Sequence, residues 1–197
     1  MFSGQSIMIV GPTPPMKERI LAAAGALFAG QRFHKTRMDD IAHTAGVGKG
    51  TLYRYFRDKN VLYEALLLDA SSRLLTQLDL AQHENMSPKE CLVAMTDALI
   101  RFFDQEPHLF ALILRSEAQA LEPGDFPWQN TRQEAISRFI AILEKGSVLG
   151  TWQISDPSAA ILFFLGGVRA TIRWGEQPRP ERLASGLVHA FLNGFGA

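Results

Sequence analysis

The stretch that most constrains this chain is TRMDDIAHTAGVGKGTLYRYF, residues 36–56. Met38, Ile41, Ala42 and Ala45 form one apolar stripe at helical spacing. Thr36 offers an N-cap, with Asp39 three residues on and acidic charge in the first turn. Gly46 is placed where a glycine ends a helix. Only Val47 then intervenes before a second short helix begins near Gly48 and runs to Phe56, with Leu52 and Phe56 facing inward. Two short helices joined by so tight a turn form a helix-turn-helix, the unit that lays its second helix in a DNA major groove.

The remainder reads as helical throughout. Apolar residues at helical spacing from Met16 predict a first helix that ends near Gly30, with Thr13-Pro14 as its start signal. Further helices are expected over 61–80, 87–106, 108–121, 128–148, 159–174 and 181–195, with a loop over 122–128. There is no alternating period-two run, internal repeat or low-complexity segment. The fold class is therefore all-α: a three-helix N-terminal domain over 15–62, preceded by a loose tail at 1–14 and followed by a helical bundle over 63–197. The apolar fraction of 47% suits a folded chain, and a single cysteine, Cys91, excludes an intrachain disulfide. The opening residues lack the pattern of a signal peptide, and no apolar run has the length of a membrane span. A cytoplasmic protein is expected.

The formal net charge of zero conceals an asymmetry. Residues 1–60 carry nine Lys/Arg against four Asp/Glu, a net of +5, and residues 61–197 carry eleven against sixteen, a net of −5. A basic end suits a polyanionic partner. On the second short helix Lys49 and Tyr53, and likewise Gly50 and Arg54, are four apart and share the face opposite Leu52 and Phe56. Lys and Arg neutralise phosphate, Arg also pairs with guanine, and Gly50 lets the backbone approach the duplex. Lys59, at the start of the next helix, places an ammonium beside free backbone N–H groups.

Residues 36–62, TRMDDIAHTAGVGKGTLYRYFRDKNVL, resemble the DNA-binding signature of the TetR family of bacterial transcriptional repressors. The matching elements are the Thr cap, Asp-Ile-Ala, Ala-Gly-Val, Lys-Gly-Thr-Leu-Tyr, Tyr-Phe, and Lys59 with Leu62. The resemblance implies DNA contacts from Arg37, Gly48, Lys49, Gly50, Thr51, Tyr53, Arg54, Tyr55 and Lys59. Two positions depart from the family pattern. Gly48 stands where Ser or Thr often caps the recognition helix, and Arg37 where a second Thr or Ser is common.

The resemblance also implies a regulatory and dimerisation domain that binds a small effector. Apolar or aromatic pocket walls are expected from Met95, Leu99, Phe102, Phe110, Ile113, Phe139, Leu143 and Phe163. The helix AAILFFLGGVRATIRW is apolar nearly all round, so it is buried or covered by a subunit. The family pairs its last two helices in a dimer, here through Ile161, Phe164, Gly167, Val168, Leu183, Leu187 and Phe191. Arg169 and Arg173 share a face and either pair across subunits, reach into the pocket or snorkel to solvent. The expected function is a dimeric repressor, released from a palindromic operator by a small apolar or aromatic effector. The alternative is a helical interaction module that has lost DNA binding. The scattered histidines show no metal spacing, and no nucleophile elbow or phosphate loop appears, so neither catalysis nor a cofactor is expected.

Overall fold

The computed structural model describes residues 15–30, 33–119 and 128–195. Among the described residues there are nine α-helices and one 3₁₀ turn, and no strand. None of these helices is long and apolar enough to cross a membrane. The chain divides into two compact units, Met1–Leu66 and Leu67–Ala197. The expected start at Thr13-Pro14, the helix end at Leu121 and most of the loop after it lie outside the described residues.

The first unit contains α1 (Met16–Gly30), the 3₁₀ turn Phe33–Lys35, α2 (Met38–Ala45), α3 (Lys49–Tyr55) and the start of α4 (Lys59–Leu80). The division between the units falls inside α4. Packing of α1 on α2, and of α2 on α3, excludes water from Ile20, Ala24, Phe28, Ile41, Leu52 and Leu62. Full burial of each large member contributes about 1.5–3 kcal/mol. Phe28, Phe33 and Tyr63 close one side of this core as three mutually contacting rings, 5.1–5.8 Å between centroids. At the start of α4, Asp58 Oδ1 accepts from the Val61 N–H at 3.0 Å. That bond, made to the charged form, holds the Asp58 carboxyl below the usual carboxylate range.

The cap of α2 differs from the sequence expectation by one residue. Arg37, not Thr36, is the N-cap, with extended φ −100° and ψ 147°, and Asp40, not Asp39, accepts the Arg37 N–H at 3.3 Å. The reason lies in tertiary contacts: Thr36 is buried, and its carbonyl accepts from Lys59 Nζ at 2.9 Å, which holds residue 36 outside the helix.

The second unit continues α4 and adds α5 (Pro88–Gln105), α6 (Pro107–Gln119), α7 (Gln129–Val148), α8 (Pro157–Trp174) and α9 (Leu183–Phe195). Helix α5 is its hub and packs on α6, α7, α8 and α9. A capping box starts it: Ser87 N–H donates to Glu90 Oε2 at 2.8 Å, and Glu90 N–H donates back to Ser87 Oγ at 3.3 Å. Helix α4 is tied to α7 by polar bonds. The buried Thr131 hydroxyl donates to Ser71 Oγ at 2.6 Å, and Arg138 grips Asp79 with two bonds of 2.7 and 3.1 Å. The Arg138 bonds hold the Asp79 carboxyl below its ordinary range.

Gly146 on α7 is required by its neighbour. The Trp152 ring lies flush against it, and Trp152 Nε1 donates to the Leu143 carbonyl at 2.9 Å. A methyl group at 146 would fall inside the van der Waals envelope of the indole. Overpacking of this kind costs about 1–3 kcal/mol, and the higher helix propensity of alanine offsets about 1 kcal/mol of it. Gly146→Ala is therefore expected to lower the unfolding free energy in urea by up to about 2 kcal/mol; a stabilised variant would show that the indole is free to move away.

Candidate DNA interface and effector cavity

The DNA-facing candidates depend on the turn between α2 and α3. Gly46 adopts φ 63° and ψ 40°, the left-handed region where a side chain is strained. Its N–H donates to His43 O at 3.0 Å, and Val47 N–H donates to Ala42 O at 2.9 Å, so the last carbonyls of α2 are satisfied as the chain reverses. Arg19 of α1 reaches the same end: its Nη2 donates to Ala45 O at 2.6 Å and Gly46 O at 3.2 Å. A Cβ on residue 46 would stand 2.9 Å from that nitrogen. Gly48, by contrast, caps α3 with ordinary extended angles, φ −68° and ψ 147°. Nothing in the backbone demands a glycine there.

Beyond this turn α3 is anchored by one face and open on the other. Leu52 is fully buried and Phe56 nearly so. Lys49, Gly50, Tyr53, Arg54 and Tyr55 are exposed, Thr51 is half-buried, and Arg37 and Gly48 are exposed beside them. A side chain at residue 50 would meet open space, so the protein itself has no need of this glycine. Lys49 Nζ pairs with Asp39 Oδ2 at 2.5 Å, but the Lys49 side chain is 64% exposed and that of Asp39 38%. An ion pair that exposed is weak, so the ammonium can exchange Asp39 for an outside anion at small cost.

Lys59 is placed differently from the expectation that its ammonium points at phosphate. Nζ donates to Phe33 O at 2.6 Å and Thr36 O at 2.9 Å, and sits 4.4 Å from the centre of the Phe33 ring. Two of its three N–H donors are directed inward, which ties the entry of α2 to the start of α4. No spacing in the sequence signals this, because both acceptors are backbone carbonyls more than twenty residues away.

The second unit holds a cavity of about 190 Å³. Its apolar walls include Leu74, Phe103, Leu114, Trp128, Ile136, Leu162 and Leu165. Of the eight expected wall residues, Leu99, Phe110 and Ile113 line it. Met95, Phe102, Phe139 and Leu143 instead fill the solid core with at most 1% exposure. Phe163 lies outside the lining and is 66% exposed. The sequence reading passed over two charged members, Glu117 and Arg132. Arg169, whose role was open, reaches the cavity and pairs with Glu117 at 2.5 Å, whereas Arg173 lies over the Trp174 ring at 5.0 Å. Arg132 lies on the first turn of a polar-looking helix, and nothing in that pattern distinguishes it from a surface cation.

The residues expected at a subunit interface divide in the same way. Ile161, Phe164, Val168 and Phe191 point into the unit, with Phe164 and Phe191 packed at 4.7 Å between ring centroids. All four are buried within one chain, which differs from their expected place in a dimer interface, and the Phe164–Phe191 contact joins α8 to α9. Helix α8 reads apolar on all sides, so periodicity did not distinguish the inward stripe from the outward one. Gly167 is exposed, and Leu183 and Leu187 are half-buried. The outward stripe of α8 is Phe163, Gly167 and Trp174, and α9 exposes Gly186, Ala190 and Asn193.

A left-handed glycine turn, a clasped α2 and a recognition helix with its polar face free define a helix-turn-helix DNA-binding protein. The profile described as "Bacterial regulatory proteins, tetR family" matches residues 20–66. The transcriptional repressor KstR2 of Mycolicibacterium smegmatis is 26% identical over 83% of this chain and 82% of its own length. The transcriptional activator FasR of the same organism is 28% identical over 54% of this chain, and the match spans about half of FasR, 48%. Among solved structures, the TetR-family regulator PfmR of Thermus thermophilus superposes with a TM-score of 0.77 at 25% identity, covering 94% of this chain and all of that one. Residues 20–66 therefore match the DNA-binding segment of the TetR family, and the chain over most of its length is similar to TetR-family transcriptional regulators.

The two lysines of the first unit are separable by experiment. Lys59→Met removes two bonds from a charged donor, each of a type worth about 1.5–3 kcal/mol when intact. It is expected to lower the unfolding free energy by at least about 1.5 kcal/mol. Lys49→Ala is expected to change it by less than about 0.5 kcal/mol, as for other surface substitutions. Equal losses in a chemical denaturation series would contradict these roles.

Proposed function

We propose that this regulator is a homodimeric, cytoplasmic repressor that reads a palindromic operator and is released from it by a small effector bound in the cavity of the second unit. The observation that carries the reading is the polar face of α3, left open while Leu52 and Phe56 hold the opposite face. Lys49, Tyr53 and Tyr55 contact phosphates, Arg54 reads a base edge or a phosphate, and exposed Gly50 gives the duplex close access to the backbone. Thr51, Gly48 and Arg37 border the same contact. Lys59 offers one remaining N–H at most.

A seven-residue recognition helix reads few bases, so two copies across a two-fold axis supply the specificity. The stripe Phe163, Gly167, Trp174 on α8, with Gly186 and Ala190 on α9, is the surface we assign to that pairing. Its large apolar side chains are exposed, and its small residues admit close helix contact. The repressor sign is supported by KstR2, whose likeness runs over most of both chains. Release follows if the effector binds more tightly to the conformation that binds DNA poorly.

Selection of bound sites from random DNA by the purified chain is expected to yield a palindrome whose affinity falls steeply with salt. Lys49→Ala is expected to weaken binding to all sites and lower the salt slope by about one. Asp39→Asn, which frees Lys49 and removes a negative charge, is expected to tighten it. Failure to enrich any site would end the DNA-reading proposal. Phe163→Glu is expected to convert the dimer to a monomer in sedimentation; an unchanged dimer would move the interface elsewhere.

A further inference from the structure

We infer that the cavity of the second unit binds a small monocarboxylic acid, with the apolar body between Phe103, Phe110 and Trp128 and the carboxylate on Arg132. The inference rests on the reading of this cavity as the effector site, and it replaces a neutral apolar guest by an anionic one. Three charged side chains line the cavity: Glu117, Arg132 and Arg169. Glu117 and Arg169 neutralise each other at 2.5 Å. The Arg132 guanidinium has no ion pair or hydrogen bond among the described residues, and among them it leaves the lining one positive charge in excess. A guanidinium presents a planar pair of donors that matches a carboxylate bidentately, and an aromatic lining matches a ring. Arg132 is itself exposed, so it keeps its hydration until an anion arrives.

Size narrows the class. An apolar cavity of about 150 Å³ holds one benzene. The 190 Å³ here accommodates one ring, or a short branched chain, with a carboxyl group. The Glu117–Arg169 pair then has a selective role: Glu117 repels a second anionic group and occupies the one other cation among the described lining residues. A dicarboxylate is disfavoured accordingly.

The test uses the full chain in titration calorimetry with benzoate, phenylacetate and hexanoate, each beside its neutral amide, and with benzylamine as the cation. One carboxylate per chain is expected to bind at least about tenfold more tightly than its amide, the weight of one hydrogen-bonded ion pair. Arg132→Gln is expected to bring the acid to the affinity of the amide and leave the amide unchanged. Glu117→Gln frees Arg169 and is expected to tighten acid binding while leaving the amide unchanged, so the two variants move in opposite directions. Circular dichroism of each variant excludes loss of the fold as the cause. Equal binding of acid and amide, preference for benzylamine, indifference to Arg132→Gln, or no saturable binding of any acid overturns the inference. Acid binding that obeys these charge rules without altering operator affinity supports the carboxylate site and overturns the effector reading instead.

Discussion

Arg19 donates to the carbonyls of Ala45 and Gly46, and the reading face of α3 depends on the turn this side chain holds. A helix of eight residues, such as α2, ends with carbonyls that the helix itself cannot satisfy. Left to water, that end frays and the direction of the next helix is undetermined. Here the left-handed Gly46, the backbone bonds from residues 46 and 47 and the guanidinium of Arg19 satisfy it together. The entry of α3 is thereby fixed, and Leu52 and Phe56 then set its rotation. Which side chains of α3 face outward follows from these contacts and not from α3 itself, a helix too short to be stable alone.

Charged residues in this chain do two kinds of work, separated by what they touch. Lys59, Arg19 and Arg179 donate to backbone carbonyls and fasten helix ends; Arg179 reaches Thr171 O and Ile172 O while also gripping Asp104. Such bonds are partly shielded from water and persist with the fold. Lys49 and Arg54 stand in solvent, where an ion pair is weak and exchange with phosphate is cheap. The same chemistry thus fastens the fold where it is shielded and, where it is exposed, supplies the surface proposed to meet DNA. In the second unit the Glu117–Arg169 pair and Arg132 border a lining of aromatic and aliphatic side chains, where charge acts more strongly than in open water.

Much of the fold was legible along the chain because its signals are local. The Ser87-Pro88 and Asp156-Pro157 starts, the Gly46 stop and the 3.6-residue stripes each act within one turn of helix, and the observed helices follow them closely. The displaced α2 cap shows the limit: Thr36 is the cap that the sequence offers, yet its carbonyl is held by Lys59 and the helix starts one residue later. The cavity shows the same limit more strongly. Met95 and Leu99 sit one helical turn apart on α5 and are alike in composition, yet one is sealed in the core and the other lines the cavity. Burial against a neighbouring helix has no signature in either residue's own surroundings in the chain.

The amino-acid sequence by itself determined the helical class, the helix-turn-helix with its resemblance to the TetR family, and the set of polar residues on α3, because turn chemistry and helical periodicity are properties of neighbours in the chain. Tertiary structure alone decided that Lys59 is a fastening, that Ile161, Phe164 and Val168 join α8 to its own unit, and that Glu117, Arg132 and Arg169 share the lining of one cavity. Those assignments depend on which helices meet and at what rotation. A helix such as α8, apolar on every side, carries no instruction about its rotation until its partners are in place.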